Sequence, residues 1–222
     1  MNASDFLESL KPKPYLEFKE YNFTQRFSSM EKIAGVVCPG FELTEHNRNL
    51  YENGVRYMAG DPESKFPLNK GLLLFGPPGT GKSLFFKIMN LLNSGTKGQN
   101  GFTTIAINQM IDGIAKNGLN YFSQAGITFP NHVYGFDSSK KHLFLDDLCL
   151  SSDSVNYFGN TIDLVFNFIQ RRYIAYTDNS ILTHITTNLK PNLFKEHYGE
   201  AVFSRMNQMF HPLPLMGKDF RK

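Results

Sequence analysis

The sequence contains little cysteine, no tryptophan and no long run of apolar residues. Its two cysteines, Cys38 and Cys149, lie far apart in the chain, which favours free thiols in a reducing compartment over a disulfide bond. No stretch of about 18 apolar residues is present, so no transmembrane helix is predicted. The first residues lack a basic segment followed by an apolar one, so no secretion signal is predicted either. We therefore expect a cytoplasmic protein without a membrane anchor.

The chain also lacks a strong excess of charge of either sign. Its 23 basic and 20 acidic residues give a net charge of +3 and an isoelectric point of about 8.7. This weak basic excess permits binding to nucleic acid without demonstrating it. Two basic pairs, Lys140-Lys141 and Arg171-Arg172, are candidate DNA contacts, and the second pair alternatively serves a boundary between subunits. The six histidines are scattered without a metal-binding spacing, so no zinc site is predicted.

The segment GPPGTGKS begins at Gly76 and follows an apolar run that is typical of a buried strand. Glycines allow tight turns that aim backbone N–H groups at phosphate oxygens. The Lys82 side chain can reach the terminal phosphates of a nucleoside triphosphate, and the Ser83 hydroxyl can bind Mg²⁺. A helix that starts here directs the positive end of its dipole at the phosphates. The predicted ATP-binding residues are Gly76, Pro77, Pro78, Gly79, Thr80, Gly81, Lys82, Ser83 and Leu84.

Strand and helix patterns alternate along the chain after residue 71. The predicted strands cover residues 72–75, 103–107, 142–145, 181–186 and 212–215. The predicted helices cover residues 83–92, 109–116, 155–173 and 192–209, the third because Val155, Phe158 and Ile162 recur at helical spacing. This alternation predicts an α/β protein of the P-loop type, in which a parallel sheet lies between two layers of helices.

Residues 1–43 differ from the rest of the chain in composition. They contain a Lys-Pro repeat, followed by aromatic residues that are interspersed with charged ones. We expect this segment to be an N-terminal arm or linker, either packed on the core or offered to a partner. Thr44 is a plausible N-cap for a helix over residues 45–59. The ATPase domain is accordingly predicted to span residues 44–222.

A second acidic motif, LFLDDL, places two carboxylates at the end of an apolar strand. If this strand ends beside the phosphate loop, Asp146 binds the metal ion and Asp147 orients the attacking water. The next predicted strand ends in Thr186-Thr187-Asn188. A polar side chain there can bind the water and sense the terminal phosphate. Asn188 is the preferred candidate, and Thr187 is the alternative.

Arg205 is a lone arginine within Val202-Phe203-Ser204-Arg205-Met206, on a predicted helix otherwise rich in apolar residues. It can be a surface residue with a packed stem, or an arginine finger that acts on the nucleotide of a neighbouring subunit. The spacing of residues alone does not separate these two readings.

Residues 45 to 222 together resemble the AAA+ ATPases, specifically the branch with DnaC-type helicase loaders and IstB-type transposition helper proteins. Four stretches carry the resemblance, namely GPPGTGKS, LFLDDL, the region from FIQRRY to TTNL, and the terminal GKDFR. The resemblance implies that Asp147 takes a role usually filled by glutamate. It also implies that Arg205 reaches a neighbour's nucleotide, that Arg221 approaches the nucleotide or the subunit boundary, and that the C-terminal helical lid is lacking.

The favoured function is that of an ATP- and Mg²⁺-dependent ATPase in DNA replication or transposition. The resemblance implies partners among DNA, a replicative helicase or a transposase, with a homo-oligomer in the ATP state. One alternative is a P-loop kinase or other phosphotransferase, although residues 109–141 contain none of the arginines such a lid usually supplies. Another alternative is a nucleotide-dependent switch with little turnover, which the presence of Lys82, Asp146 and Asp147 disfavours.

Overall fold

The computed structural model describes residues 15–94, 100–125, 127, 142–148 and 154–217. Four positions that the sequence analysis singles out therefore lie outside the described residues, namely Lys140, Lys141, Cys149 and Arg221.

Five parallel strands form the central sheet, and a separate antiparallel hairpin lies beside it. In chain order the strands are β1 (Gly71–Phe75), β2 (Phe102–Ala106), β3 (His142–Leu148), β4 (Ser154–Tyr157), β5 (Asn160–Asp163), β6 (Thr183–Thr187) and β7 (Phe210–Pro214). The order across the sheet is β2-β3-β6-β1-β7, and β4 pairs with β5. The edge strand β7 contains Pro212 and Pro214, residues that a central strand would not tolerate.

In the part of the chain that the structure describes, seven helices connect or flank these strands. They are α1 (Phe23–Val37), α2 (Glu45–Met58), α3 (Lys82–Ser94), α4 (Ile107–Asn117), α5 (Asn120–Gln124), α6 (Leu164–Asn179) and α7 (Pro191–Met209). The α2 helix begins after Thr44 as predicted, and the Asn47 side chain accepts from the Thr44 N–H at 2.8 Å. The 19-residue α7 is broken at Gly199, where φ is 79° and ψ is 171°. Within the described residues, no helix is sufficiently long and apolar to traverse a bilayer.

Alternation along the strands divides the apolar core between the two faces of the sheet. Leu73 and Leu145 pack in a cluster with α4, α5, α6 and α7. Leu72, Leu74 and Phe144 pack in a second cluster with α1, α2 and α3. Because strand side chains alternate between faces, this division produces three layers. The predicted α/β/α sandwich with a parallel sheet is confirmed, and no C-terminal helical lid is present in the described part of the chain.

The prediction of one helix over residues 155–173 is wrong in its first half, where the structure has the β4–β5 hairpin. Val155 and Ile162 are cross-strand partners in this hairpin. Their separation of seven residues also equals two helical turns, so the apolar spacing alone fits both structures. The two-residue turn contains Phe158 and Gly159, both with positive φ. The helix starts only at Leu164, after the Asp163 carboxylate accepts from the Phe166 N–H at 2.8 Å.

The described part of the N-terminal segment packs on the core. Leu16, Met30 and Ala34 are at most 1% exposed and belong to the cluster with α2 and α3. The Tyr21 hydroxyl donates to the Asp61 carboxylate at 2.5 Å, which fixes the segment before α1 to the loop after α2. Residues 15–37 therefore contact the core through these buried side chains.

Candidate nucleotide-binding site

The loop between β1 and α3 has the backbone that the GPPGTGKS motif predicts. Gly81 has a φ of +92°, and a Cβ atom added there would meet nothing within 4 Å. At Gly76 an added Cβ would lie 2.2 Å from the carbonyl oxygen of Leu215. One glycine therefore allows a left-handed turn beside open space, and the other allows close approach of the chain after β7. The open side of this turn is shaped to receive a ligand against the loop backbone.

Lys82 curls back over this loop. Its side chain is buried, and its Nζ donates to the carbonyl oxygens of Gly76 at 2.9 Å and Pro77 at 2.8 Å. The same Nζ donates to Asn188 Oδ1 at 2.9 Å, although the two residues are 106 positions apart. The ammonium charge is thus held at the loop and against the end of β6.

The remaining predicted residues of the loop differ in their contacts and exposure. The Thr80 hydroxyl donates to the Pro77 carbonyl oxygen at 2.9 Å and so closes the loop. Pro77 and Pro78 are exposed, and Gly79 adopts a positive φ of 78°. The Leu84 side chain is half-buried and packs in the apolar cluster below the loop.

The two predicted magnesium ligands meet beside the loop. The Ser83 hydroxyl donates to Asp146 Oδ1 at 2.7 Å, across 63 residues of sequence. Asp146 is half-buried, and the following Asp147 is exposed. Hydroxyl and carboxylate oxygens are ligands that Mg²⁺ prefers, and this cation also keeps several waters. The donor set, its partial exposure and its place next to Lys82 fit a magnesium ion bound together with a nucleotide.

A β-bulge in β3 lies at the acidic pair. Leu145 pairs with Ile185 and Leu148 pairs with Thr187, and the register shifts between them. Two residues of β3, Asp146 and Asp147, consequently lie opposite one residue of β6. Asp147 has a φ of 64°, in the left-handed region. The strand does not end at the acidic pair, as the sequence suggests, but bends there and continues through Leu148.

Thr186 is the residue opposite the bulge, and sequence reasoning did not identify it as a site residue. Its side chain is 1% exposed. Its hydroxyl donates to Asp146 Oδ1 at 2.6 Å and accepts from the Asp147 N–H at 2.8 Å. The only signal in the sequence is the polar end of the predicted strand at 186–188, which does not reveal the register of β6 against β3.

Thr187 and Asn188 differ in where their side chains lie. The Thr187 hydroxyl is buried, donates to the Leu148 carbonyl oxygen at 2.6 Å and accepts from the Leu189 N–H at 3.0 Å. Asn188 is exposed and contacts Lys82. The geometry therefore favours Asn188 over Thr187 as the polar group at the candidate site.

Arg205 lies on the segment of α7 after the break at Gly199. Its Nη1 donates to the Ala201 carbonyl oxygen at 3.0 Å, and its guanidinium lies 5.4 Å from the centre of the Tyr173 ring. Within the described residues, no hydrogen bond joins Arg205 to Lys82 or to the acidic pair. The structure therefore leaves Arg205 outside the cluster that Lys82, Ser83, Asp146 and Asn188 form.

The assignment of Arg172 as a DNA contact is wrong. Its side chain is 2% exposed and donates to Thr183 Oγ1 at 2.7 Å and to the carbonyl oxygens of Ile127 and Leu182, both at 3.1 Å. The apolar periodicity of the predicted helix did not indicate which face this arginine occupies. Arg171 remains half-exposed, with its guanidinium 4.9 Å from the Phe122 ring centre.

Solved structures have a fold similar to that of this chain, although no protein-family model and no curated protein matches the sequence. The structure of DnaI is 14% identical, with a TM-score of 0.56, and the match covers 84% of this chain and 94% of that one. Domain III of DnaA from Thermotoga maritima is 12% identical, with a TM-score of 0.53, and covers 90% and 70%. A DnaA structure with AMPPCP and single-stranded DNA is 16% identical, with a TM-score of 0.50, and covers 81% and 50%.

These similarities identify the fold. The chain has the AAA+ type of P-loop sandwich that DnaI and domain III of DnaA have, so the resemblance to AAA+ ATPases is confirmed at the level of fold.

Proposed function

We propose that this protein binds and hydrolyses ATP with Mg²⁺ and uses the cycle to load a helicase onto DNA during replication in the cytoplasm. The observation that carries the proposal is the meeting of four side chains at the carboxyl ends of the neighbouring strands β3, β6 and β1. Lys82 contacts Asn188, and Ser83 contacts Asp146. In open parallel sheets, this edge is where ligands bind.

Each of these residues has a role that follows from its chemistry. Lys82 stabilises negative charge on the terminal phosphates, and the loop N–H groups bind phosphate oxygens. Ser83 and Asp146 hold the magnesium ion, which neutralises charge on the phosphates when it is bound. Asp147 accepts a proton from the attacking water and orients it, and Asn188 holds that water or the terminal phosphate.

Replication is favoured over transposition because the two DnaA structures named above are those of a replication initiation protein and a replication initiator. One of them is described as bound to AMPPCP and single-stranded DNA, which supports a nucleotide and DNA as ligands of this chain also. A replicative helicase is the proposed protein partner, and a transposase is the alternative partner. We further propose that ATP promotes a homo-oligomer in which Arg205 completes the site of the next subunit.

The proposal is tested by measuring ATP binding and turnover separately, with and without single- and double-stranded DNA. Lys82→Ala should weaken ATP binding by about 2 kcal/mol or more, because charge-assisted hydrogen bonds to phosphate are lost. Asp147→Asn should keep ATP bound and slow turnover on the order of 10²-fold or more, because a general base is lost.

Each rival function has its own outcome in this experiment. Phosphate transfer to an added acceptor, with little release of inorganic phosphate, would indicate a phosphotransferase. Tight binding with negligible turnover under every DNA condition would indicate a switch. A helicase loader should bind the replicative helicase in the presence of ATP, and binding to a transposase instead would place the protein in transposition.

A further inference from the structure

The acidic pair presents a geometric problem. Asp146 and Asp147 are consecutive residues of β3, and consecutive side chains of a regular strand point to opposite faces of the sheet. A site at one edge of the sheet therefore cannot use both carboxylates unless the strand departs from regular geometry. The β-bulge supplies that departure, because bulges bend a strand and change the direction of a side chain. The left-handed φ of 64° at Asp147 is part of the bulge.

The bulge also deprives the Asp147 N–H of the hydrogen-bond acceptor that a regular parallel ladder would give it. In the regular ladder, the N–H of a β3 residue would donate to a carbonyl oxygen of β6, and the extra residue of a bulge is left unpaired. Here the Asp147 N–H donates instead to the Thr186 hydroxyl at 2.8 Å. The hydroxyl thereby supplies the acceptor that the bulged backbone would otherwise lack, and it stabilises the bulge.

The same hydroxyl also orients the neighbouring carboxylate. Having accepted from Asp147, the Thr186 oxygen donates its own proton to Asp146 Oδ1 at 2.6 Å. That oxygen also accepts from Ser83 at 2.7 Å, so two donors fix the rotation of the Asp146 carboxylate. Thr186 is 1% exposed, and water therefore does not replace either contact readily.

We propose that Thr186 is a positioning residue, whose hydroxyl holds both carboxylates of the candidate site in their working geometry. The proposal rests on the proposed ATPase function and adds to it a residue on β6 that acts through Asp146 and Asp147. Only a side chain that accepts and donates at one atom can make both contacts. Serine retains a hydroxyl that can both donate and accept. Valine has almost the same shape as threonine but has no hydroxyl.

The test compares Thr186→Val and Thr186→Ser with the parent protein. Thr186→Val should reduce kcat about 10- to 100-fold and raise the Mg²⁺ concentration needed for half-maximal activity, which is the usual effect of removing a partner of a metal ligand. Binding of a fluorescent ATP analogue without Mg²⁺ should change less than twofold, because the loop around Lys82 is untouched. Thr186→Ser should restore kcat to within about threefold of the parent, since the hydroxyl is retained.

A loss of folding stability is separated from a loss of positioning by further variants. Thr187→Val removes an equally buried hydroxyl from the same strand and calibrates the effect on urea unfolding. Thr186→Ala provides a second variant without the hydroxyl if Thr186→Val does not fold. In an Asp147→Asn background, Thr186→Val should lower kcat by a smaller factor than it does alone, because the part of its effect that acts through Asp147 is already lost.

Three results would overturn the proposal. These are a parent-like kcat in both Thr186→Val and Thr186→Ala, a Thr186→Ser variant as impaired as Thr186→Val, and full additivity with Asp147→Asn. They differ from failure of the proposed function, which would appear as negligible ATP turnover by the parent protein or as no effect of Asp147→Asn alone.

Discussion

Arg172 and Arg205 lie on the packed helices α6 and α7 and have opposite surroundings. Arg172 is 2% exposed and donates to three oxygens from Thr183, Ile127 and Leu182. Burial lowers its pKa to about 10, so the side chain remains charged at neutral pH. Arg205 is half-exposed, and its partners are a carbonyl oxygen of its own helix and the Tyr173 ring.

This difference in burial and hydrogen bonding distinguishes an arginine that stabilises the fold from one that is available to bind a ligand. Arg172 satisfies neutral acceptors from two separate segments, Ile127 after α5 and Leu182-Thr183 at the start of β6, so its hydrogen bonds join both segments to α6. Arg205 makes contacts of a kind that are weak at a surface and are easily exchanged for contacts with an anion. Four predictions test the comparison.

The largest expected effect is that of Arg205→Ala on turnover. If this arginine completes a neighbour's site, its loss should slow ATP hydrolysis about 10³-fold, while the free energy of unfolding changes by less than about 1 kcal/mol. Activity of the parent protein should rise with its concentration. Mixing Arg205→Ala with Lys82→Ala subunits should restore part of the activity. A concentration-independent rate, together with a fully active Arg205→Ala variant, would refute the assignment.

Arg172→Met should have the largest effect on stability. It leaves the Ile127 carbonyl oxygen and the Thr183 hydroxyl without the Arg172 donor, whereas the Leu182 carbonyl oxygen still accepts from the Leu143 N–H. A buried polar group that loses its partner costs about 1–3 kcal/mol. We expect a loss of roughly 3 kcal/mol in urea unfolding, because removing a desolvated cation offsets part of the cost. Arg171→Met is the matched control and should lose less than about 1 kcal/mol. Equal losses in the two variants would contradict the comparison.

A smaller effect is expected on the pH dependence of folding stability, and it arises from His184, which lies near Arg172. His184 is fully buried, and its Nδ1 accepts from the Leu72 N–H at 3.1 Å. Burial, and then the charges of His142 and Arg172, hold its pKa well below the ordinary value of 6.5. The unfolded chain therefore takes up this proton first as the pH falls through 6.5. Stability should decrease below pH 6.5 by up to about 1.4 kcal/mol per pH unit for this group.

The pH effect is measured as the urea midpoint between pH 7.5 and 5.5. His184→Asn keeps an acceptor for the Leu72 N–H and should flatten the dependence, even if the variant is less stable at pH 7.5. His46→Gln changes an exposed histidine and should leave the slope unchanged. An unchanged slope in His184→Asn would show that other groups cause the acid sensitivity.

The smallest expected effect on turnover is that of replacing Tyr173, whose ring lies below the Arg205 guanidinium. Tyr173→Leu removes a cation–π contact that is worth about 0.5–1 kcal/mol at an exposed site, so turnover should fall about two- to fivefold. Tyr173→Phe keeps the ring, loses only the hydrogen bond to Gln208 and should retain the parent rate. A parent-like rate in both variants would mean that the ring does not orient Arg205.

The phosphate loop could be predicted from sequence because its residues are local. Gly76, Lys82 and Ser83 have their roles within one short segment, and the motif fixes their spacing. The meeting of Ser83 with Asp146 was also predictable, because parallel strands place their carboxyl ends at one edge of the sheet.

Other parts of the site depend on register and burial, which one sequence does not specify. The Thr186 contacts require the bulge that sets two residues of β3 against one of β6. The sequence predicts a helix in place of the β4–β5 hairpin because the spacing of Val155 and Ile162 fits two helical turns as well as cross-strand pairing in a hairpin. The burial of Arg172 depends on which side of α6 faces the sheet, and a charged residue normally indicates the exposed side.

The prolines of β7 have a consequence for how copies of this protein can associate. The Leu215 N–H donates inward to the Phe75 carbonyl oxygen, so by alternation residues 210, 212 and 214 turn their backbone groups outward. Positions 212 and 214 are prolines without an N–H, and the Phe210 N–H is already bonded to Met206. The outer edge of β7 consequently offers no free N–H to another strand. A strand that approaches this side finds carbonyl acceptors but no N–H donors, so regular edge-to-edge pairing is disfavoured there.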